Sequence, residues 1–142
     1  DAKTTTPEKW QDIQISRTGQ CMVAVVGGNT FDINIATGNV WVSTDFGENW
    51  TEVTVGGDAQ QWISAMVSGD GSVMMVKARG NILYKSTDHG VYWTQVTITI
   101  PDKVYADNNN YGTSAAGISS IWMKMANDGL NLYTLYCNTV VL

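Results

Sequence analysis

The stretch "VSTDFGENW" (residues 42–50) returns as "KSTDHGVYW" (residues 85–93). Ser43, Asp45, Gly47 and Trp50 of the first match Ser86, Asp88, Gly90 and Trp93 of the second, at a constant offset of 43 residues. A repeat at that spacing is the first thing to establish in a sequence, because it decides the architecture. Alternating apolar and polar residues flank both copies: "NVWV" (39–42) and "NILYK" (81–85) before, "TEVTV" (51–55) and "TQVTITI" (94–100) after. Period-two alternation predicts strands with one buried face.

A second landmark lies upstream of each copy. "WQDIQISRTG" starts at Trp10 and "WISAMVSGDG" at Trp62, so Ile13 aligns with Ala65, Ile15 with Val67 and Ser16 with Ser68. The first repeat is therefore longer, and "NTFDINIATG" (29–38) is the insertion. A third, partial copy begins near Ser120 as "SIWMKMANDGLNLYTLYCNTVVL". Each copy reads as strand, Gly turn, strand, short turn, strand, Asp-containing turn, strand. The expected fold is all-β, built from four-stranded antiparallel meanders with little helix, since no segment shows capped helical periodicity. As one repeat domain over 1–142, the units run about 10–55, 62–100 and 118–142, with inserted loops at 29–38 and 101–117. Pro7 and Pro101 fall outside the strands, as ladder hydrogen bonding requires.

The repeated turn has a physical logic. Gly47 and Gly90 supply positive φ. The Asp45 and Asp88 carboxylates are placed to accept hydrogen bonds from the turn's own amides, with a serine hydroxyl beside them. Trp50 and Trp93 are expected to cover the turn.

Ser-x-Asp-x-Gly-x-x-Trp between the third and fourth strands of a repeated meander resembles the Asp-box, or bacterial neuraminidase repeat. That family includes sialidases, xyloglucanases, sortilin-type receptors and photosystem II assembly factors. The resemblance implies a β-propeller whose blades are these meanders. It also implies that Asp45 and Asp88 sit on the outer rim as structural residues. Two complete blades and a partial one are fewer than the roughly four to eight of a propeller. The ring is then completed either by missing chain or by association of copies, because open strand edges must be covered. "TTTPEKW" (4–10) is placed to pair with such an edge. The chain opens on Asp1 rather than Met, which reads as a processed product or a piece of a longer chain.

Composition narrows function. Of 142 residues, 44% are hydrophobic and only 15% charged, with net charge −5. A core is affordable at that length, and the uncharged polar surface fits an extracellular or surface-associated setting. Arg17 and Arg79 are the only arginines, and nucleic-acid binding needs clustered cations. The longest apolar run, "CMVAVV" (21–26), is far short of a membrane-spanning helix. Sialidase activity, as the resemblance describes it, needs three arginines and a Tyr–Glu pair, which two arginines cannot supply. Glycoside hydrolysis needs two facing carboxyl groups, yet the glutamates are only Glu8, Glu48 and Glu52. His89 is the sole histidine and occupies a variable turn position. Cys21 and Cys137 lie in apolar runs, where buried free thiols are favoured over a disulfide, and with His89 they show no zinc spacing. Neither a cofactor nor a metal is expected.

The stretch that looks extra is "PDKVYADNNNYGTSAAG" (101–117). One reading makes it a ligand loop: Tyr105 and Tyr111 stack on sugars while Asp107 and Asn108 bond hydroxyls. The plainer reading makes it a connection between blades. Trp10, Trp41, Trp62 and Trp122 are expected in core or inter-blade packing. The leading expectation is a non-catalytic recognition or assembly module, binding glycans, proteins or other copies of itself. The alternatives are a structural subunit of a shell, virion or surface layer, and a fragment of a sialidase-like glycoside hydrolase.

Overall fold

A computed structural model describes residues 9–27, 37–79, 82–96, 120–125 and 132–137, the last two stretches as strands. The proposed ligand loop at 101–117, with Tyr105, Asp107, Asn108 and Tyr111, lies outside the described residues, as do Pro7, most of the 29–38 insertion and residues 97–100.

Ten strands are described, and no helix occurs among the described residues. The first sheet runs in the order β1 (Trp10–Ile15), β2 (Met22–Val26), β3 (Val40–Ser43), β4 (Thr51–Val53). The second runs β5 (Trp62–Val67), β6 (Met74–Ala78), β7 (Ile82–Ser86), β8 (Thr94–Val96). All pairings are antiparallel between sequence neighbours, which makes each sheet a meander. A third sheet pairs β9 (Ser120–Met125) with β10 (Leu132–Cys137). The first two sheets repeat in fine detail. The register of β1 shifts between Trp10 and Asp12, and that of β5 between Trp62 and Ser64.

The pairing register sorts side chains by face. On the first sheet Val23, Val25, Val40 and Val42 share one face. Met22, Ala24, Trp41, Ile13 and Ile15 share the other. On the second sheet Ala65, Val67, Met74, Val76, Ala78 and Tyr84 share the face equivalent to that of Ile13. The core forms where the valine face of sheet one meets this face of sheet two. Val23, Val25, Val40, Val42 and Val55 pack with Trp62, Ala65, Met74, Val76 and Ala78, and with Tyr84 and Trp93 at the margin. Burying this apolar surface is the main stabilising term.

The seam between the two sheets is close and polar at its edges. The Trp62 indole N–H donates to the Gly38 carbonyl at 2.9 Å. Gly38 and Gln60 exchange backbone hydrogen bonds of 3.0 and 3.2 Å. Gly27 has no side chain for a reason: a Cβ there would collide with the backbone carbonyl of Trp62. Asp12 accepts from the Ala65 amide at 2.9 Å and the Ser64 hydroxyl at 3.3 Å through Oδ2.

Three of the expected core tryptophans divide by context. Trp62 is fully buried, Trp41 half-buried, and Trp10 is 49% exposed. Ile13 and Ile15 are also exposed, at 51% and 54%. The equivalent face of sheet two is covered by sheet one.

Candidate functional site

The repeated turns are densely hydrogen-bonded polar constellations. Each joins the third and fourth strands of its meander, as the strand order requires. In the first, Ser43 donates to Asp45 Oδ1 at 2.9 Å and accepts from the Gly47 amide at 3.0 Å. Asp45 also accepts from the Asn49 amide at 2.9 Å, and its Oδ2 takes the Asn49 side-chain amide at 2.7 Å. In the second, Ser86 donates to Asp88 Oδ1 at 2.7 Å and accepts from the Gly90 amide at 2.9 Å. The same Asp88 oxygen accepts from the Val91 and Tyr92 amides at 3.1 and 3.0 Å.

These contacts set the electrostatics. Hydrogen bonds to a carboxylate favour its charged form. The Asn49 amide and side chain hold Asp45 below its ordinary carboxylate range, and Ser43 assists. The Tyr92 amide, followed by the Ser86 hydroxyl, does the same for Asp88. Such groups stay ionised at neutral pH and are occupied by their own turn.

Backbone conformation completes the turns. Phe46 and His89 have φ of 61° and 60°, and the following Gly47 and Gly90 have φ of 83° and 88°. Two successive left-handed residues bend the chain sharply, and the second is glycine in both copies. The Phe46 amide then bonds the Gln20 carbonyl at 3.0 Å, and the His89 amide the Ser72 carbonyl at 3.3 Å. Each turn is thereby tied to the first hairpin of its own sheet. Trp50 and Trp93 are half-buried, and the Trp93 indole donates to the Gly90 carbonyl at 2.9 Å. His89 is exposed.

Sequence reasoning lined up Ser16 with Ser68 without giving them a task. Ser68 donates to Asp70 at 2.6 Å and accepts from the Val73 amide at 2.9 Å. Asp70 also accepts from the Ser72 amide at 3.0 Å. The Ser68 hydroxyl, then the Ser72 amide and hydroxyl, hold Asp70 down at about 2. The signal was present as Ser-x-Asp-x-Ser before a strand. Asp12, which ties the two sheets, left no such signal.

Other reactive groups stand apart from these turns. Cys21 is a buried free thiol pushed up by burial and by the Asp70 carboxylate. Lys77 is buried on the far face of sheet two, and burial lowers its ammonium pKa. Among the described residues no group of three or more His, Cys, Asp or Glu side chains is arranged to hold a metal ion. No helix among them is long and apolar enough to cross a membrane.

No family profile matches the chain, and no curated protein matches it. Solved structures do. The chain is similar to YCF48 from Cyanidioschyzon merolae, with TM-score 0.54 and 16% identity over 93% of this chain. It is also similar to an ancestral GH74 enzyme, with TM-score 0.58 and 17% identity over 91% of this chain. It spans 38% of the former and 16% of the latter. At these identities the likeness shows the fold: the meanders are β-propeller-type blades.

Proposed function

We propose that the protein is a non-catalytic β-propeller-type module for recognition or assembly. The observation that carries this reading is the state of the Asp45 and Asp88 carboxylates. Both oxygens of Asp45, and Oδ1 of Asp88, are engaged by amides and hydroxyls of their own turns. A general acid or base needs a pKa near the working pH. Both groups are held below the ordinary carboxylate range by the amides and hydroxyls of their own turns, which supports a folding role for the repeated motif.

The assembly half of the proposal draws support from the exposed Trp10, Ile13 and Ile15. The recognition half draws on the low share of charged residues and the Asn-rich stretch carrying Tyr105, Asp107, Asn108 and Tyr111, and takes glycans as the ligand class. A glycan array probed with the protein, paired with a reducing-end assay on the bound sugars, tests it. Binding without turnover supports the module. Turnover that survives in an Asp45→Asn, Asp88→Asn double variant would show an enzyme with its chemistry elsewhere and overturn the proposal.

A further inference from the structure

We propose that Asn49 is an N-linked glycosylation site, its side-chain nitrogen carrying a neutral oligosaccharide transferred from a polyprenyl-pyrophosphate donor in a secretory compartment. The inference is independent of what the module recognises.

The sequence supplies the recognition pattern once. Asn49-Trp50-Thr51 is an Asn-x-Thr sequon, and no other asparagine of the chain has Ser or Thr two places on. The pattern lies at the end of the first repeated turn and runs into β4, so the backbone passes there from a turn into an extended strand. Strand β4 is the last of its sheet and has a partner on one side only among the described residues. Asn49 and Thr51 are both exposed, as are Glu48 and Glu52 beside them. None of these four belongs to the core between the two sheets.

The second turn shows what the first can spare. Asp88 is held through Oδ1 by the Ser86 hydroxyl and by the Val91 and Tyr92 amides. Tyr92 stands where Asn49 stands in the first turn, and it closes its turn with the backbone amide alone. The Asn49 amide makes the equivalent bond to Asp45 at 2.9 Å. Its side-chain bond to Asp45 Oδ2 at 2.7 Å is additional. The Asn49 Nδ2 carries two hydrogens. Linkage to a sugar consumes one, and the other is enough to keep the Asp45 bond. The Thr51 hydroxyl is uncommitted. Its counterpart Thr94 donates to the Lys85 carbonyl at 3.3 Å, whereas Thr51 makes no side-chain hydrogen bond among the described residues. The fold therefore presents both sequon groups without depending on either.

In the transfer, the Asn49 Nδ2 attacks the anomeric carbon of the lipid-linked sugar. The bond from Nδ2 to that carbon forms. The bond from that carbon to the pyrophosphate oxygen breaks, and its electron pair leaves on the polyprenyl pyrophosphate. One Nδ2 proton passes to a base of the transferase, and nothing is oxidised or reduced.

The test is to express the chain behind a cleavable secretory leader in eukaryotic cells, and in parallel to translate it into microsomes, where the readout needs neither folding nor export. Intact mass is measured before and after a peptide amidase that removes N-linked sugars. Wild type and Thr51→Ser are expected to carry excess mass that the amidase removes, with aspartate then found in place of Asn49 by peptide mapping. Asn49→Gln and Thr51→Ala are expected to emerge bare. Thr51→Ala removes no hydrogen bond from the folded protein, so its bareness reports the sequon rather than misfolding. Wild type at bare mass in both settings would overturn the site. Excess mass that persists in Asn49→Gln would place the sugar on another residue and overturn it as well. The amidase leaves a carboxylate where the Asn49 amide met Asp45, and like charges so close repel. The released protein should therefore melt below the glycosylated one at neutral pH. A released form that melts no lower would show that the glycan had already broken the Asp45 bond, and would overturn the claim that the turn accommodates it.

Discussion

Truncating Trp62 and Trp10 separately gives the sharpest test of the packing argument, because the two residues share register, strand position and an edge-to-face aromatic partner, Tyr84 for Trp62 and Trp41 for Trp10. They differ chiefly in burial: Trp62 is 0% exposed and Trp10 49%. A tryptophan side chain buries on the order of 200 Å² when covered. At about 25 cal/mol per Å² its full burial contributes about 5 kcal/mol, and half coverage about 2.5 kcal/mol. Trp62 adds the indole bond to Gly38, about 1 kcal/mol net. Trp62→Ala is therefore expected to cost about 5–6 kcal/mol, at the upper end of large core truncations, and Trp10→Ala about 2.5 kcal/mol or less. The assay is urea unfolding followed by circular dichroism at low protein concentration. If Trp62→Ala fails to fold, Trp62→Phe keeps a ring and removes only the indole bond and some volume, and should still cost more than Trp10→Phe. Equal losses in the dilute pair would refute the claim that the valine face of sheet one, rather than the strand itself, stabilises Trp62.

Other perturbations follow from the same geometry. Ser86→Ala removes the acceptor of the buried Gly90 amide and a donor to Asp88, and should cost about 1–3 kcal/mol in urea unfolding. Gly27→Ala forces a methyl onto the Trp62 carbonyl and should cost about 1–3 kcal/mol, read as a lower thermal midpoint. Asp45, Asp70 and Asp88 have folded-state pKa values below their unfolded ones, so their contribution is full above about pH 4 and is lost as pH falls, for Asp70 through about 2. Melting from pH 7 to 2 should show that acid loss, and Asp70→Asn should flatten it. Lys77→Met should raise stability at neutral pH. Burial lowers the folded-state pKa of Lys77, so the wild type gains stability as pH rises through that lowered pKa towards about 10, and the variant's advantage should shrink over the same range.

Much of the architecture was legible because it is written twice. The offset between Asp45 and Asp88 marks equivalent turns, and the alternation around them gives strands whose faces the register then confirms. The turn chemistry was readable for the same reason: Asp, Gly and Ser at fixed spacing have few other uses. Tertiary context was not readable. Trp10 and Trp62 look alike in sequence, and only tertiary packing buries one and leaves the other half exposed. Asp12 sits at a polar position of an alternating strand, which reads as solvent-facing, yet it bonds the next sheet. Lys77 did leave a trace, as a cation inside the apolar run "MMVKA" (74–78), but which face it meets depends on a neighbour. The candidate ligand residues Tyr105, Asp107, Asn108 and Tyr111 carry composition without periodicity, and composition cannot fix a shape.

The unlike sides of the first sheet have a consequence for growth of the polymer. A unit with a knobbed side and a smooth side accepts a tandem duplicate of itself without needing any new kind of joint. Duplicating one meander inserts a spacer whose two surfaces already match what lies before and after it. Lengthening such an array is thus a copying problem rather than a redesign, and its only fresh demand falls on the curvature needed to bring first and last together.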